Sequence, residues 1–208
     1  VLEQTANFRV SDLSWHGQMT SVIAAGSGQS SAGRYRGIAS EAQLVLVKVS
    51  TPQGHIKETD ILRGLRWLLD THRRLNVRIV NISVGGDFVS HDPDHPLHKA
   101  IHKLVQAGVT VVIAAGNRDG APLLPPASAA EAITIGGVND QNSLDYHLWT
   151  PYHHNYGRIY DGSHKPDLVA PANWIASPIL PGSSIAREAR WLAPLLRISD
   201  EAHIRHVL

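Results

Sequence analysis

Residues 77–117 read VRIVNISVGGDFVSHDPDHPLHKAIHKLVQAGVTVVIAAGN, and this stretch decides the fold class. Two runs rich in valine and isoleucine, residues 77–84 and 109–115, flank a segment whose apolar residues recur at helical spacing. Pro96 suits the first turn of that helix and Gly108 ends it, while its apolar stripe contains Leu97, Ile101, Leu104 and Val105. A strand, a helix and a second strand in succession predict two parallel strands joined by a crossover.

The same alternation continues on both sides of this stretch. Residues 42–49 (AQLVLVKV) and 132–138 (AITIGGV) predict two further strands, and Ile61, Leu65 and Leu68 mark another amphipathic helix. The near-continuous apolar character of the strands is typical of a sheet that is covered on both faces. We therefore predict an α/β fold, a three-layer α/β/α sandwich with a mostly parallel central sheet, in one domain. In such sheets the ligand site lies at the carboxyl ends of the strands.

Composition excludes several classes of function. The chain has 208 residues, of which 43% are hydrophobic, and this is enough for a well-buried core. The formal net charge is +1 with no basic block, so nothing indicates a nucleic-acid partner or an anionic membrane. Cysteine is absent, which excludes disulfides, thiolate zinc sites and a cysteine nucleophile. The apolar runs are too short to predict a membrane-spanning segment.

Three segments carry residues suited to chemistry. His16 precedes a run of small residues, where the positive end of a helix dipole keeps an imidazole neutral and available as a base. Gly85 follows a buried strand and leaves an open backbone edge on which a peptide can pair. Asn117 also follows a strand, and its amide can donate a hydrogen bond to a developing oxyanion. Each residue alone has an ordinary structural explanation, as a cap or in a turn.

The order of the segments is more specific than any one of them. In this order the chain resembles the subtilisin-like serine proteases (subtilases, the peptidase S8 family) over roughly residues 12–171. The matching blocks are HGQMTSVIAAG (16–26), GRYRGIASEAQLVLVKV (33–49), IVNISVGG (79–86), AGVTVVIAAGN (107–117), PPASAAEAITIGGV (125–138) and KPDLVAP (165–171).

The resemblance implies a serine endopeptidase that acts on polypeptide substrates. By this similarity His16 is the general base and Asn117 the oxyanion donor. The resemblance also implies that the first specificity pocket is lined by Ser83, Val84, Gly85, Ala114, Ala115 and Gly116. No cofactor is required; family members often bind calcium, but no loop of this chain is assigned to it. Secretion is favoured by the resemblance alone.

Two blocks of the family pattern are missing from the sequence. No Asp-Ser-Gly or Asp-Thr-Gly precedes His16, and no Gly-Thr-Ser-x-Ala follows KPDLVAP. We expect residues 1–208 to be a partial catalytic domain, truncated at both ends, whose missing segments supply the aspartate and the serine. Residues 183–208 are expected to form a helical insertion before the serine block, where the pair Ser183 and Ser184 is interpreted as the N-cap and not as a nucleophile. The alternative is a catalytically inactive, subtilase-like binding module.

A cluster of histidines offers a competing hypothesis. The segment SHDPDHPLHKAIH contains His91, His95, His98 and His102, and the last two stand at the i, i+4 spacing that can clamp a transition metal. The glutamate of an H-E-x-x-H site is absent. A solvated helix face is the preferred explanation of these histidines, and no metal ligand is assigned.

Overall fold

A computed structural model of the chain describes residues 15–51 and 53–192. The chain divides into two compact units, one formed by Val1–Leu44 with Ala176–Leu208 and the other by Val45–Ile175. The helices are α1 (Trp15–Ala25), α2 (Glu58–Thr71), α3 (Pro96–Gln106) and α4 (Ser184–Leu192). The strands are β1 (Ile79–Ile82), β2 (Thr110–Ala114), β3 (Ile133–Asn139), β4 (Thr150–Pro151), β5 (Gly157–Arg158), β6 (His164–Lys165) and β7 (Leu168–Pro171). The expectation of a single domain stays a prediction.

The second unit is built on one five-stranded sheet. Strands β1, β2, β3 and β7 pair in parallel, and only β4 runs antiparallel, against the end of β3. A separate two-stranded antiparallel ladder joins β5 to β6. The α/β class and the mostly parallel sheet predicted from the sequence are confirmed.

The two helices of the second unit close one face of this sheet. Helix α3 packs on both α2 and β2, and the apolar stripes of the two helices are buried. The sheet residues that face them include Ile82, Val111 and Ile113, which are at most 7% exposed. Gly108 ends α3 with a φ of +84°, the left-handed conformation that glycine adopts without steric cost. Residues that alternate with these along the strands, such as Asn81, Val112 and Ala114, border the cleft described below.

Residues 42–49 do not form the strand that their sequence predicts. No strand of residues 15–51 or 53–192 pairs with them, and four of their apolar side chains are exposed, namely Leu44, Val45, Leu46 and Val47. A strand is held by hydrogen bonds to a neighbouring strand, so a β-branched run without a partner stays irregular. Val47 and Val49 instead lie beside Gly64 on α2, where an added Cβ would approach each within about 3.3 Å.

The first unit contains α1 and α4. The carbonyl oxygens of Ile23, Ala24 and Gly26, at the end of α1, accept hydrogen bonds from the backbone N–H groups of residues 37–39. Helix α4 begins one residue after Ser183, whose Oγ accepts a hydrogen bond from the N–H of Ala186 at 3.1 Å. The predicted N-cap is therefore confirmed. The rest of the predicted helical insertion, residues 193–208, lies outside the described residues.

Candidate active site

An open cleft of about 340 Å³ lies along the carboxyl-terminal parts of β1, β2 and β7 and the middle of β3. Small residues make up much of its lining: Ala114, Ala115, Gly116, Gly137, Ala170 and Ala172. Asn81, Tyr152 and His154 add polar groups around them. The cleft therefore stands where a doubly wound sheet places its ligand site, and its small side chains leave room for one.

Asn117 and the three residues before it form one wall of the cleft. Ala114 ends β2, and the N–H of Ala115 continues the ladder by donating to the carbonyl oxygen of Ile135 at 2.9 Å. Gly116 then turns the chain with a φ of +109°, a region that side chains larger than hydrogen rarely enter. Asn117 follows directly with its side chain exposed at the cleft. An exposed amide at the end of a buried strand can donate a hydrogen bond to an anion without moving the strand.

Asn155 is a buried polar residue behind this wall that sequence reasoning missed. Its Oδ1 accepts a hydrogen bond from the N–H of Arg118 at 2.9 Å, and its Nδ2 donates to the carbonyl oxygen of Pro122 at 2.8 Å. A Cβ added to Gly116 would lie 2.5 Å from the Asn155 Oδ1. Asn155 is 4% exposed, and both of its side-chain polar atoms are hydrogen-bonded inside the protein.

His154 and Tyr152 also border the cleft without having been predicted. The Nδ1 of His154 accepts a hydrogen bond from the N–H of Gly137 at 3.2 Å. Tyr152 covers the same glycine, because a Cβ added there would lie 2.5 Å from its Cδ1. The segment YHHNYG (residues 152–157) is the signal that could have located these residues, since asparagine and glycine are both frequent in turns.

Ser83, Val84 and Gly85 do not line this cleft. They follow β1, and Ser83 comes directly after Ile82, which pairs with Ile113 of β2. The Oγ of Ser83 accepts a hydrogen bond from the Nδ2 of Asn81 at 3.0 Å. Beyond Gly85 the chain is anchored, because the N–H of Gly86 donates to the carbonyl oxygen of Pro125 at 2.6 Å. Their part in substrate binding stays a prediction.

His16 lies in the first turn of α1, in the first unit. The sequence placed it just before the helix; the helix in fact begins at Trp15. The ring of His16 is half-buried and meets the ring of Trp15 edge-on, with 5.4 Å between the centroids. Because Asn117 belongs to the other unit, the meeting of these two residues at one substrate stays a prediction.

The position of His98 corrects the prediction of a solvated histidine face. His98 is 1% exposed; its Nδ1 lies 2.9 Å from the carbonyl oxygen of Asp92, and its Nε2 lies 2.8 Å from the Oγ of Ser128. A carbonyl only accepts, so Nδ1 carries the proton and Nε2 accepts from the serine hydroxyl. Burial lowers the pKa of His98 below its usual value. The prediction was wrong for His98 because this residue lies on the buried face of α3, beside Leu97 and Ile101.

Two other histidines of this cluster, His95 and His102, have hydrogen-bond partners of their own. The Nδ1 of His102 lies 2.6 Å from Glu131, and the Nδ1 of His95 caps α3 by accepting from the N–H of Leu97. Within residues 15–51 and 53–192, no three histidine, aspartate or glutamate side chains are grouped to hold a metal ion. Within the same residues, no helix is both long enough and apolar enough to cross a bilayer.

Comparison with known proteins identifies the family. The model of the subtilase family, Peptidase_S8, matches residues 3–194. Serine protease AprX of Bacillus subtilis is 34% identical over 179 residues, which are 82% of this chain and 40% of that protein. Subtilisin-like protease 2 of Pseudogymnoascus destructans is 32% identical over 162 residues, 74% of this chain and 37% of that protein.

Solved structures agree on the fold. The chain called Sphericase superimposes with a TM-score of 0.69 at 21% sequence identity, covering 85% of this chain and 58% of its own. The protease PagA, described as a prenylagaramide maturation protease, gives a TM-score of 0.62 at 24% identity, covering 84% of this chain and 58% of its own. The chain thus spans 40% of the length of AprX and little more than half of these solved structures. With a family match over most of its residues and the fold to accompany it, the chain belongs to the subtilase family of serine proteases.

Proposed function

We propose that the full-length protein is a serine endopeptidase that cleaves polypeptides by acyl transfer. A serine outside residues 1–208 attacks the carbonyl carbon of the scissile peptide bond, and His16 takes the hydroxyl proton. The carbon–nitrogen bond then breaks, and His16 returns the proton to the leaving amine. Water, deprotonated by His16, hydrolyses the acyl-enzyme and restores the serine. An aspartate outside the chain orients His16, and the chemistry needs no cofactor.

The observation that carries this proposal is the position of Asn117. It lines a cleft that contains many small residues, three residues after the end of β2, in a chain of the subtilase family. We assign to its side-chain amide the hydrogen bond that stabilises the oxyanion of the tetrahedral intermediate. Ala114, Ala115 and Gly116 form the wall beside it, where the first side chain of the substrate binds.

The test uses the full-length protein with its natural flanking segments. Wild type should hydrolyse a peptide substrate, and His16→Ala should abolish this activity because members of a catalytic unit act together. Asn117→Ala should lower kcat with a smaller effect on KM; the loss is about 10²–10³-fold where subtilisin itself loses its oxyanion donor. His102→Ala, at an exposed site on α3, is the control and should retain activity within about three-fold.

The alternative, an inactive binding module, gives a different result. A full-length protein that binds polypeptide, hydrolyses none and takes up no fluorophosphonate would establish that alternative. Activity that survives His16→Ala but disappears on treatment with a chelator would replace serine chemistry with a metal-dependent reaction.

A further inference from the structure

We propose that Asn155 is a positioning residue for the oxyanion donor, acting through the backbone on both sides of Asn117. This inference rests on the proposed function, because it assigns to Asn155 the task of holding Asn117 in place for that reaction. Asn155 itself does not border the cleft: its side chain is buried, and its polar atoms are hydrogen-bonded to backbone groups.

The contacts of Asn155 fall immediately before and after Asn117. On one side, its carboxamide oxygen occupies the space where Gly116 would carry a Cβ. On the other, the same oxygen accepts from the N–H of Arg118, the residue after Asn117. The rest of the turn is held by the bond from Nδ2 to the carbonyl oxygen of Pro122. One side chain therefore holds the backbone on both sides of Asn117, whose own side chain is exposed and borders the cleft.

The backbone around Asn155 strengthens this hold. The N–H of Asn155 lies 3.4 Å from the carbonyl oxygen of Gly116, and the N–H of Tyr156 donates to the carbonyl oxygen of Ala121 at 3.1 Å. Asn155 and Tyr156 thus bond the turn at both of its ends, at Gly116 and at Ala121 with Pro122. An exposed asparagine on a turn that contains two glycines, Gly116 and Gly120, has many rotamers and backbone states open to it. A donor acts on a transition state only if it is held in place before the charge develops.

Loss of the Asn155 side chain should therefore change turnover more than substrate binding. In the full-length protein, Asn155→Ala leaves the N–H of Arg118 and the carbonyl of Pro122 without their partner and opens space beside Gly116. We expect kcat to fall about 10–100-fold, the effect of misplacing a catalytic group by about 1 Å, with little change in KM. Asn155→Asp keeps an acceptor for Arg118 and loses the donor to Pro122, so its kcat should lie between wild type and Asn155→Ala.

A double-mutant cycle with Asn117→Ala separates positioning from a structural role. If Asn155 acts through Asn117, Asn155→Ala should cost less than about three-fold in kcat once Asn117 has already been removed. Rates are divided by the number of active sites titrated with fluorophosphonate, so that a loss of folded protein does not count as a loss of turnover. Thr134→Val is the control, because Thr134 is also fully buried and bonds a backbone carbonyl, that of Ala127, at the start of β3. Its kcat per titrated site should equal that of wild type.

The outcomes are distinct. Equal losses from Asn155→Ala in the wild-type and Asn117→Ala backgrounds, or no loss at all, would overturn the positioning role while leaving the proposed function intact. If Asn155→Ala yields no folded protein, the same comparison is made with Asn155→Asp, and equal losses again overturn the role. A wild-type protein without hydrolysis, or activity that survives His16→Ala, would overturn the proposed function and this inference with it.

Discussion

The Nζ atom of Lys165 lies 2.7 Å from the Oδ2 atom of Asp167, and the lysine side chain is only 2% exposed. The same ammonium group donates to the carbonyl oxygens of Ala130 and Ala132, at 3.2 and 2.5 Å. Oδ2 of Asp167 also accepts a hydrogen bond from the N–H of Thr134 at 2.7 Å. This network links the residues before β7 to the start of β3. Lys165 and Asp167 of the KPDLVAP block therefore stabilise the sheet.

Replacing Lys165 should weaken the fold measurably. Lys165→Met keeps the length of the side chain but leaves the carbonyls of Ala130 and Ala132 without a donor. We expect the free energy of unfolding to fall by about 1–3 kcal/mol, the usual penalty for buried polar groups that lose their partner. Asp167 is 39% exposed, so water compensates for part of its lost ion pair. Urea unfolding followed by circular dichroism measures the change.

The matched control for that experiment is Lys99→Met. Lys99 pairs with Asp94 at 3.0 Å, but both side chains are more than half exposed. An exposed pair of this kind contributes about 0–1 kcal/mol. A control that lost as much stability as Lys165→Met would contradict the role given to the buried network.

His98 should make stability depend on pH. Because burial lowers its pKa in the folded protein, the unfolded chain binds a proton at a higher pH than the folded one does. The free energy of unfolding should therefore fall as pH decreases from about 6.5 toward the folded pKa, and should be insensitive to His98 above that window. The groups that face this ring are His95, Asp92, Glu131 and Tyr160. Urea titrations between pH 5 and 8 test the expected slope.

Removal of the imidazole should remove part of that slope. His98→Gln cannot titrate, so its free energy of unfolding should depend less on pH below about 6.5 than that of wild type. At pH 8 the variant should be less stable than wild type, because the hydroxyl of Ser128 loses its acceptor. His91→Gln removes an exposed histidine from the same segment and should preserve the wild-type slope. An unchanged slope in His98→Gln would show that another group titrates.

The 208-residue chain by itself should not react with a fluorophosphonate probe. The hydroxyl of Ser183 is already hydrogen-bonded as the N-cap of α4: its Oγ donates to the carbonyl oxygen of Leu180 and accepts from the N–H of Ala186. Ser128 has an imidazole partner but is 2% exposed. Mass spectrometry of the treated chain should find neither residue labelled. Ser183→Ala should lower the stability of α4 by about 1 kcal/mol, as expected for a lost N-cap; stoichiometric labelling at Ser183 would make it a nucleophile instead.

Sequence patterns predicted those parts of the fold that depend on local periodicity. Strands β1, β2 and β3 and helix α3 were each located from a run of apolar residues and its flanking glycine or proline. Residues 42–49 have the same kind of pattern and form no strand in the structure, because pairing depends on a partner that no local pattern reveals. The helical period also failed to place His98, since a polar side chain enters the core when its hydrogen bonds are satisfied there.

Only the part of the candidate site that directly follows a strand could be located from the sequence. Asn117 and the small residues before it could be named because they follow a strand within one short block. Asn155 could not, since its partners lie 33 and 37 residues earlier in the chain and only the folded turn brings them together. Supporting contacts of this kind are the part of a site that sequence reasoning reaches last.

The pair formed by Ser128 and His98 has a consequence for how hydrolases are recognised. A hydroxyl donates to an imidazole whose second nitrogen is held by an oxygen, which is the hydrogen-bond pattern of a catalytic dyad. A template search that scores only interatomic distances would select these two residues, although both are buried, His98 at 1% and Ser128 at 2% exposure, and a peptide substrate cannot reach them. In this protein, a serine and a histidine can therefore be assigned to catalysis only if they are accessible to substrate as well as correctly spaced.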